Sequence, residues 1–440
     1  MILRQVWFRQ FLRECLFMVQ ANQTSNRHAF PLVAGWEGPW PRVWAPGLRC
    51  RNNKMRLAIF LVALFAAAWL ARADPFDFGV LPAGSLEIVA RFYGAGPSGI
   101  AVTPDGRIFV GFPRHADDHQ GPTLGELRQG KLIPYPNEKM SLPSDAPTDE
   151  RLISVHGMTI DSRGRLWVID DGKRAGQPIP EGGAKVVGFD PATNRLIASV
   201  IIKPPALLPD SHLNDLRVDL THGTKGMAYI ADSSFGISPA LVVADLATGE
   251  QRRVLGFHPS IQPEQGFLVM LEGKPKRYDA EHPTFPSGGV DGITLSADST
   301  HLFYAPLCSR RLYSIPTKVL ADFHASDETL GAAVRDIGEK GAADGLATDA
   351  QDRIYTTDFE HDAILRRDSD GHFKVILRDP RLVWPDGVFA TDRFVYCTLG
   401  QWDRLPDFNG GHDLRQPPYL LIRALIRPIP EVGGTGTPSD

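Results

Sequence analysis

The 440-residue chain predicts an all-β fold, a six-bladed β-propeller with an N-terminal strand closing the last blade. Three features carry that expectation. One hairpin pattern recurs six times, the spacing of its copies leaves room for about four short strands each, and long helical periodicity is scarce. A two-sheet sandwich is the competing architecture. Ring closure is favoured because each unit's inner strands must bury against neighbours and leave no open edge.

The N-terminus is set apart from that pattern. Residues 1–54 are rich in Arg and Trp, show no clear period, and read as a non-structural or mis-assigned extension. Residues 55–73, MRLAIFLVALFAAAWLARA, combine a basic start, a short apolar core and an Ala-x-Ala ending, the pattern of a secretory signal peptide. The apolar core, 57–70, is shorter than the roughly 20 residues a spanning helix needs, so no stable membrane insertion is expected after cleavage. The propeller is assigned to 74–428 and a disordered tail to 429–440, in a secreted or periplasmic protein. Beyond residue 73 there are 37 Lys and Arg against 49 Asp and Glu, a net of −12. That balance argues against nucleic acid and mildly favours cationic small molecules. Cys308 and Cys397 make neither a disulfide framework nor a Cys-based metal site, and their pairing stays open.

The six copies are PSGIAVTPDGRIFVGFP (97–113), VHGMTIDSRGRLWVIDDG (155–172), LNDLRVDLTHGTKGMAYIADSS (213–234), VDGITLSADSTHLFYAPL (290–307), ADGLATDAQDRIYTTDFE (343–360) and PDGVFATDRFVYCTLG (385–400). Each reads as a hairpin of two apolar runs around a polar turn. Further strand-like runs follow: 184–190 with 196–203, 240–246 with 251–255, 311–316, and 363–367. Residues 318–323 are the best short-helix candidate. After the sixth hairpin only 419–426 reads as a strand, so 85–92, which has no unit of its own, is expected to complete the last blade.

This geometry turns the start of each first strand and the end of each second strand toward one mouth of the central channel. The first set is Ser98, His156, Asn214, Asp291, Asp344 and Asp386; the second includes Phe112, Asp170, Asp232, Asp358, Phe359, Glu360 and Gln401. Carboxylates, an amide and an imidazole interleaved with aromatics form a plausible ligand mouth. Asp before Gly is equally a turn device, in which Asp bonds its own backbone and Gly takes a positive φ. No nucleophile elbow, phosphate loop or zinc motif appears.

At FYAPLCSRRLYSIPTKVLAD (303–322) the chain resembles the yellow/major royal jelly protein family. RLWVIDDG (165–172), AYIADSSFGISPALVVADLATGEQRRVL (228–255), WPDGV (384–388) and FNGGHDLRQPPYLLIRA (408–424) agree with it in order. The resemblance implies a secreted six-bladed propeller, here similar to bacterial members related to L-dopachrome tautomerase. Relatives convert dopachrome, bind biogenic amines, or serve nutritive or structural roles. As an enzyme, the chain would stack a catechol-derived quinone on Phe359 or Phe235, with His156 or Asp344 moving the proton. As a binder, its acidic rim would pair with a cationic aromatic amine. Amine binders carry an Asn at the last blade's strand end; here Gln401 stands there. Gluconolactonase-type lactonases, also six-bladed, hold a divalent cation with Glu, Asn and Asp. Asn214 and Asp291 match two such ligands for Ca2+ or another divalent ion, but the segment 94–98, GAGPS, lacks the Glu. The other readings require no cofactor.

Overall fold

The computed structural model describes residues 84–234, 238–277 and 288–426. The proposed extension, signal peptide and tail, and Phe235, lie outside the described residues. Six four-stranded antiparallel sheets follow one another along the chain. Blade 1 comprises Ile100–Val102, Ile108–Gly111, Leu124–Arg128 and Lys131–Pro134. Blade 2 comprises Val155–Ile160, Leu166–Asp170, Lys185–Asp190 and Arg195–Ile201. Blade 3 comprises Leu213–Asp219, Met227–Asp232, Ala240–Asp245 and Gln251–Val254. Blade 4 comprises Val290–Leu295, His301–Pro306, Arg311–Pro316 and Arg335–Glu339. Blade 5 comprises Ala343–Thr348, Ile354–Asp358, Ala363–Arg367 and Phe373–Arg378. Blade 6 takes Pro385–Ala390, Phe394–Leu399 and Tyr419–Leu425 from the end of the propeller and Glu87–Phe92 from its beginning.

That early strand pairs with Tyr419–Leu425 from Glu87 opposite Arg423 to Phe92 opposite Tyr419, as the lone N-terminal run requires. The six innermost strands contact one another in cyclic order, blade 6 against blade 1 included, so the ring is closed. Each junction has its own apolar cluster. Phe109 and Leu124 meet Val155 and Leu166 between blades 1 and 2, and Trp167 and Ile169 meet Leu216 and Ile230 between blades 2 and 3. Tyr229 and Val243 meet Ile293 and Tyr304 at the next junction, and Leu312 meets Leu346 and Ile354 after it. Tyr355 and Ile364 then meet Val388 and Val395, and Ile100 and Val110 meet Tyr396 and Leu421 where the ring closes. A fully buried Leu, Ile or Phe contributes about 1.5–3 kcal/mol, so stability resides in the junctions between blades rather than within any one of them.

Two details differ from the sequence reading. The short helix sits at Thr317–Leu320 and is followed by another at Asp327–Ala333, capped by the Ser326 hydroxyl. An extra hairpin, Leu268–Leu271 with Lys274–Arg277, fills part of the long third interval. Cys308 and Cys397 are both buried and are not joined to each other.

Candidate active site at the channel mouth

The residues that face the channel are aimed there by a repeated irregularity. In blades 2 to 6 the first and second strands lose register across the same step: Val155 to Met158, Leu213 to Leu216, Val290 to Ile293, Ala343 to Leu346 and Pro385 to Val388. Each is a bulge, and a bulge redirects a side chain at a barrel or channel rim. The redirected residues are His156, Asn214, Asp291, Asp344 and Asp386. The glycine that follows four of them has a packing reason. A Cβ on Gly157 would lie 2.5 Å from the Asp215 Cα and 2.6 Å from the Asn214 carbonyl oxygen. Cβ atoms on Gly99, Gly292, Gly345 and Gly387 would clash with the carbonyl oxygens of His156, Asp344, Asp386 and Ser98. None of these five glycines takes a positive φ. The recurrent Gly therefore serves close approach between neighbouring inner strands, not the turn device.

Ser98, His156, Asn214, Asp291, Asp344 and Asp386 line a narrow throat. Arg217 closes its lower end. Its guanidinium donates to the Asp215 carboxylate at 2.7 Å and reaches across to the Leu346 carbonyl of blade 5 at 2.6 Å. Above it, burial first and the neighbouring carboxylates second raise Asp291, Asp344 and Asp386 well above the ordinary carboxylate value. Two indoles fix this ring. Trp384 Nε1 donates to Asp344 at 2.7 Å, and Trp402 Nε1 donates to Asp386 at 2.6 Å.

The throat opens into a cavity of about 470 Å³ lined by His115, His156, Lys173, His212, Asn214, Asp291, Asp344, Trp384, Asp386, Trp402 and Phe408, among others. That is within the range of small-molecule sites. His115 and His212 were not foreseen, and with His156 they form the cavity's most compact polar group. Their candidate ligand atoms all lie within 4.8 Å of one another, the one such His, Cys, Asp or Glu group of three among the described residues. Burial drives His115 and His212 down to about 3, and drives His156 well below its usual value, so all three imidazoles are neutral near pH 7. The Ser98 hydroxyl lies 3.2 Å from His156 Nδ1, and Asp171 lies 3.4 Å from His212 Nδ1. His115 follows the second strand of blade 1, and His212 precedes the first strand of blade 3. Both sit in loops, and the spacings of 41 and 56 residues from His156 match no local metal motif. Their only sequence signal was an imidazole within three residues of two of the strand ends already chosen.

The strand-end set lies elsewhere. Phe112 packs edge-on against Phe92 in the core. Asp170 pairs with Lys185 and accepts from the Ile153 and Ser154 backbone, fixing the approach to His156. Asp232 accepts from the His212 backbone N–H at 2.8 Å and pairs with Arg253, so it holds the His212 loop in place. Asp358 accepts from the Glu360 and His361 backbone and from the His361 ring. Phe359 stacks face to face on Trp384 at 4.6 Å, behind the cavity wall. Glu360 pairs with Arg310. Gln401 exchanges hydrogen bonds with the Gln416 backbone and braces the loop that carries Trp402. The first-strand residues thus share one mouth, and most of the second set braces it rather than lining it.

The family model for major royal jelly proteins matches residues 153–394. Major royal jelly protein 7 of Apis mellifera is 26% identical over 194 residues, 43% of this chain and 40% of that protein. Major royal jelly protein 1 of the same species is 27% identical over 204 residues, 44% of this chain and 43% of that protein. The matched stretch therefore spans about two fifths of the length of these curated relatives. Among solved structures, a gluconolactonase from Xanthomonas campestris aligns with TM-score 0.44 at 13% identity, over 78% of this chain and 89% of its own. Regucalcin from Agrobacterium tumefaciens aligns with TM-score 0.44 at 15% identity, over 77% and 93%.

Proposed function

The chain belongs to the major royal jelly protein family, and we propose that it is an exported enzyme that tautomerises a cyclised catechol quinone of the dopachrome type at the channel mouth. One observation carries this reading: the cavity sets two indoles, Trp384 and Trp402, directly beside the buried carboxyls of Asp344 and Asp386, to which they donate. A flat bicyclic quinone has aromatic surfaces to lie against and a proton donor at its edge. The tautomerisation balances with no oxidant or reductant. Two adjacent sp3 carbons of the five-membered ring each lose a proton, and the two quinone oxygens each gain one. The electron pairs of the two broken C–H bonds form the new ring double bond and reduce the quinone to a catechol. Asp344 is the proton carrier, because its carboxyl lines the cavity beside the Trp384 indole and burial, with Asp291 next to it, raises its proton affinity above that of an ordinary carboxylate. His156 is a poorer base for the same reason that it is neutral, so its part is to orient the substrate by a hydrogen bond. No helix among the described residues is long and apolar enough to cross a membrane.

The test is the decay of L-dopachrome, with the product identified by chromatography. Wild-type protein should accelerate the decay, and Asp344→Asn should lower kcat by about 10²–10⁴-fold. Wild-type decay equal to buffer would sink the enzymatic reading. The three ring aspartates favour one alternative in that case, non-catalytic binding of a cationic aromatic amine, which calorimetry with dopamine or serotonin would read directly.

A further inference from the structure

We propose that His115, His156 and His212 form a binding site for a divalent transition-metal ion, Zn2+ by preference, whose fourth coordination position opens into the cavity. The inference does not rest on the tautomerase reading, because metal binding is measured without any substrate.

Three observations support it. The first is distance. The imidazole centroids are 5.2, 4.6 and 4.9 Å apart, and the candidate ligand atoms lie within 4.8 Å of one another. Three imidazoles on one tetrahedral ion, each bound at about 2.1 Å, have their centroids about 5 Å apart. The cluster therefore needs only side-chain adjustment to close on an ion. The second is what stands behind the rings. Metal-bound histidines usually present their other nitrogen to a carboxylate or hydroxyl, which fixes the ring and its tautomer. Asp171 stands 3.4 Å from His212 Nδ1, and the Ser98 hydroxyl stands 3.2 Å from His156 Nδ1. The Ser98 hydroxyl is within hydrogen-bond distance of one δ nitrogen and Asp171 within ion-pair distance of the other, an arrangement in which the Nε2 of each ring can turn toward the ion. Asp171 is itself held, accepting from the Lys173 backbone N–H at 2.8 Å.

The third is rigidity and access. Each histidine comes from a different blade or its adjoining loop, and two of those loops are clamped. Arg114 binds the Gly121 and His119 carbonyls beside His115, and Asp232 holds the His212 backbone. All three rings line the 470 Å³ cavity, so a water or an anionic oxygen of a ligand can reach the open position. Three protein ligands with one open place is the arrangement of a reactive zinc site rather than a structural one. The donor chemistry is also selective. Neutral imidazoles suit Zn2+, Co2+ or Cu2+, whereas Ca2+ takes hard oxygen ligands of the kind Asn214 and Asp291 would offer.

The experiment uses untagged chain, stripped with a chelator and titrated with Zn2+ against a chromophoric competitor, then with Co2+ as a spectroscopic stand-in. The proposal expects one Zn2+ per chain, displacement of the competitor in the micromolar range or tighter, and an intense visible Co2+ band of the tetrahedral type. His156→Ala and His212→Ala should each abolish that band. Asp171→Asn, which keeps the three rings, should weaken binding about 10–100-fold. His361→Ala, at the partly exposed pair with Asp358, should change nothing. No stoichiometric Zn2+ on the wild-type chain would overturn the proposal, as would Ca2+ binding in its place or a Co2+ band that survives the loss of His156. If a histidine variant fails to fold by near-ultraviolet circular dichroism, the wild-type stoichiometry and the Asp171→Asn shift decide.

Discussion

Substituting Ala for Gly157 separates two opposing effects that the structure lets one weigh. Removing a glycine from an ordinary backbone conformation stabilises a protein by about 0.4–1 kcal/mol, because the unfolded chain loses freedom. Gly157 has no positive φ, so that gain is available to it. Against it stands the added methyl, 2.5 Å from the Asp215 Cα and 2.6 Å from the Asn214 carbonyl oxygen, where real Cβ atoms keep at least 3.0 Å. Both obstacles are backbone atoms of the next blade's innermost strand, so relief means moving blade 3 outward by about half an ångström. Such overpacking costs typically about 1–3 kcal/mol. The net expectation is destabilisation by about 0–2.6 kcal/mol relative to wild type and about 1–3 kcal/mol relative to a glycine replaced without a clash, with a loss of ligand affinity as His156 and Asn214 move apart. Urea unfolding followed by tryptophan fluorescence reads the first, with Gly94→Ala as control, since nothing lies within 4 Å of a Cβ there. If Gly157→Ala proves as stable as Gly94→Ala, the close-approach account of the recurrent glycine is wrong.

Further expectations concern charge. Asp403 is raised to about 6 by burial first and by Glu272 second. Its folded value exceeds its unfolded one, so the wild type loses stability as pH rises from about 4 to 6, by up to about 3 kcal/mol. Asp403→Asn should flatten that stretch of the urea-midpoint profile; an unchanged profile would remove Asp403 as its source. Arg217→Met should destabilise the protein by about 1–3 kcal/mol near pH 7, because it strips the partly buried Asp215 carboxylate of its partner. The penalty should shrink toward pH 4 as Asp215 protonates, and a pH-independent loss would point to packing instead. Trp384→Phe removes the indole donor to Asp344 and should cost about 1–3 kcal/mol. It should also shift the pH profile of turnover, whereas a change in stability alone would make Trp384 purely structural.

What could be read in the sequence followed from periodicity. Strand alternation and the six recurrent hairpins specify the blades, and the unpaired run before the first hairpin specifies how they close. The first-strand residues were also legible, because the repeat puts His156, Asn214, Asp291, Asp344 and Asp386 in equivalent places. Loop contributions were not. His115 and His212 reach the cavity from irregular backbone and Trp402 from the start of a 3-10 turn, Trp402–Arg404, and their paths depend on contacts such as those of Arg114 and Gln401, far apart in sequence. The strand-end acids misled for a related reason. Residues such as Asp170 and Asp232 look like solvated or ligand-facing carboxylates, yet buried backbone N–H groups of the preceding loop and a single cation claim them first.

The pairing of Glu87–Phe92 with Tyr419–Leu425 also fixes when the protein becomes competent during synthesis. The first strand emerges early and must wait, unpartnered, for more than three hundred residues before its mate leaves the ribosome. Bringing two ends so far apart together carries a loop-closure entropy of about 5 kcal/mol, met in one step when the last sheet is completed. Until then the arc has no enclosed channel, and the cavity, whose walls include His115 near one end and Trp402 near the other, does not exist. A chain cut before Tyr419 lacks the closing pairing, so the channel and its cavity are assembled only once Tyr419–Leu425 has been made.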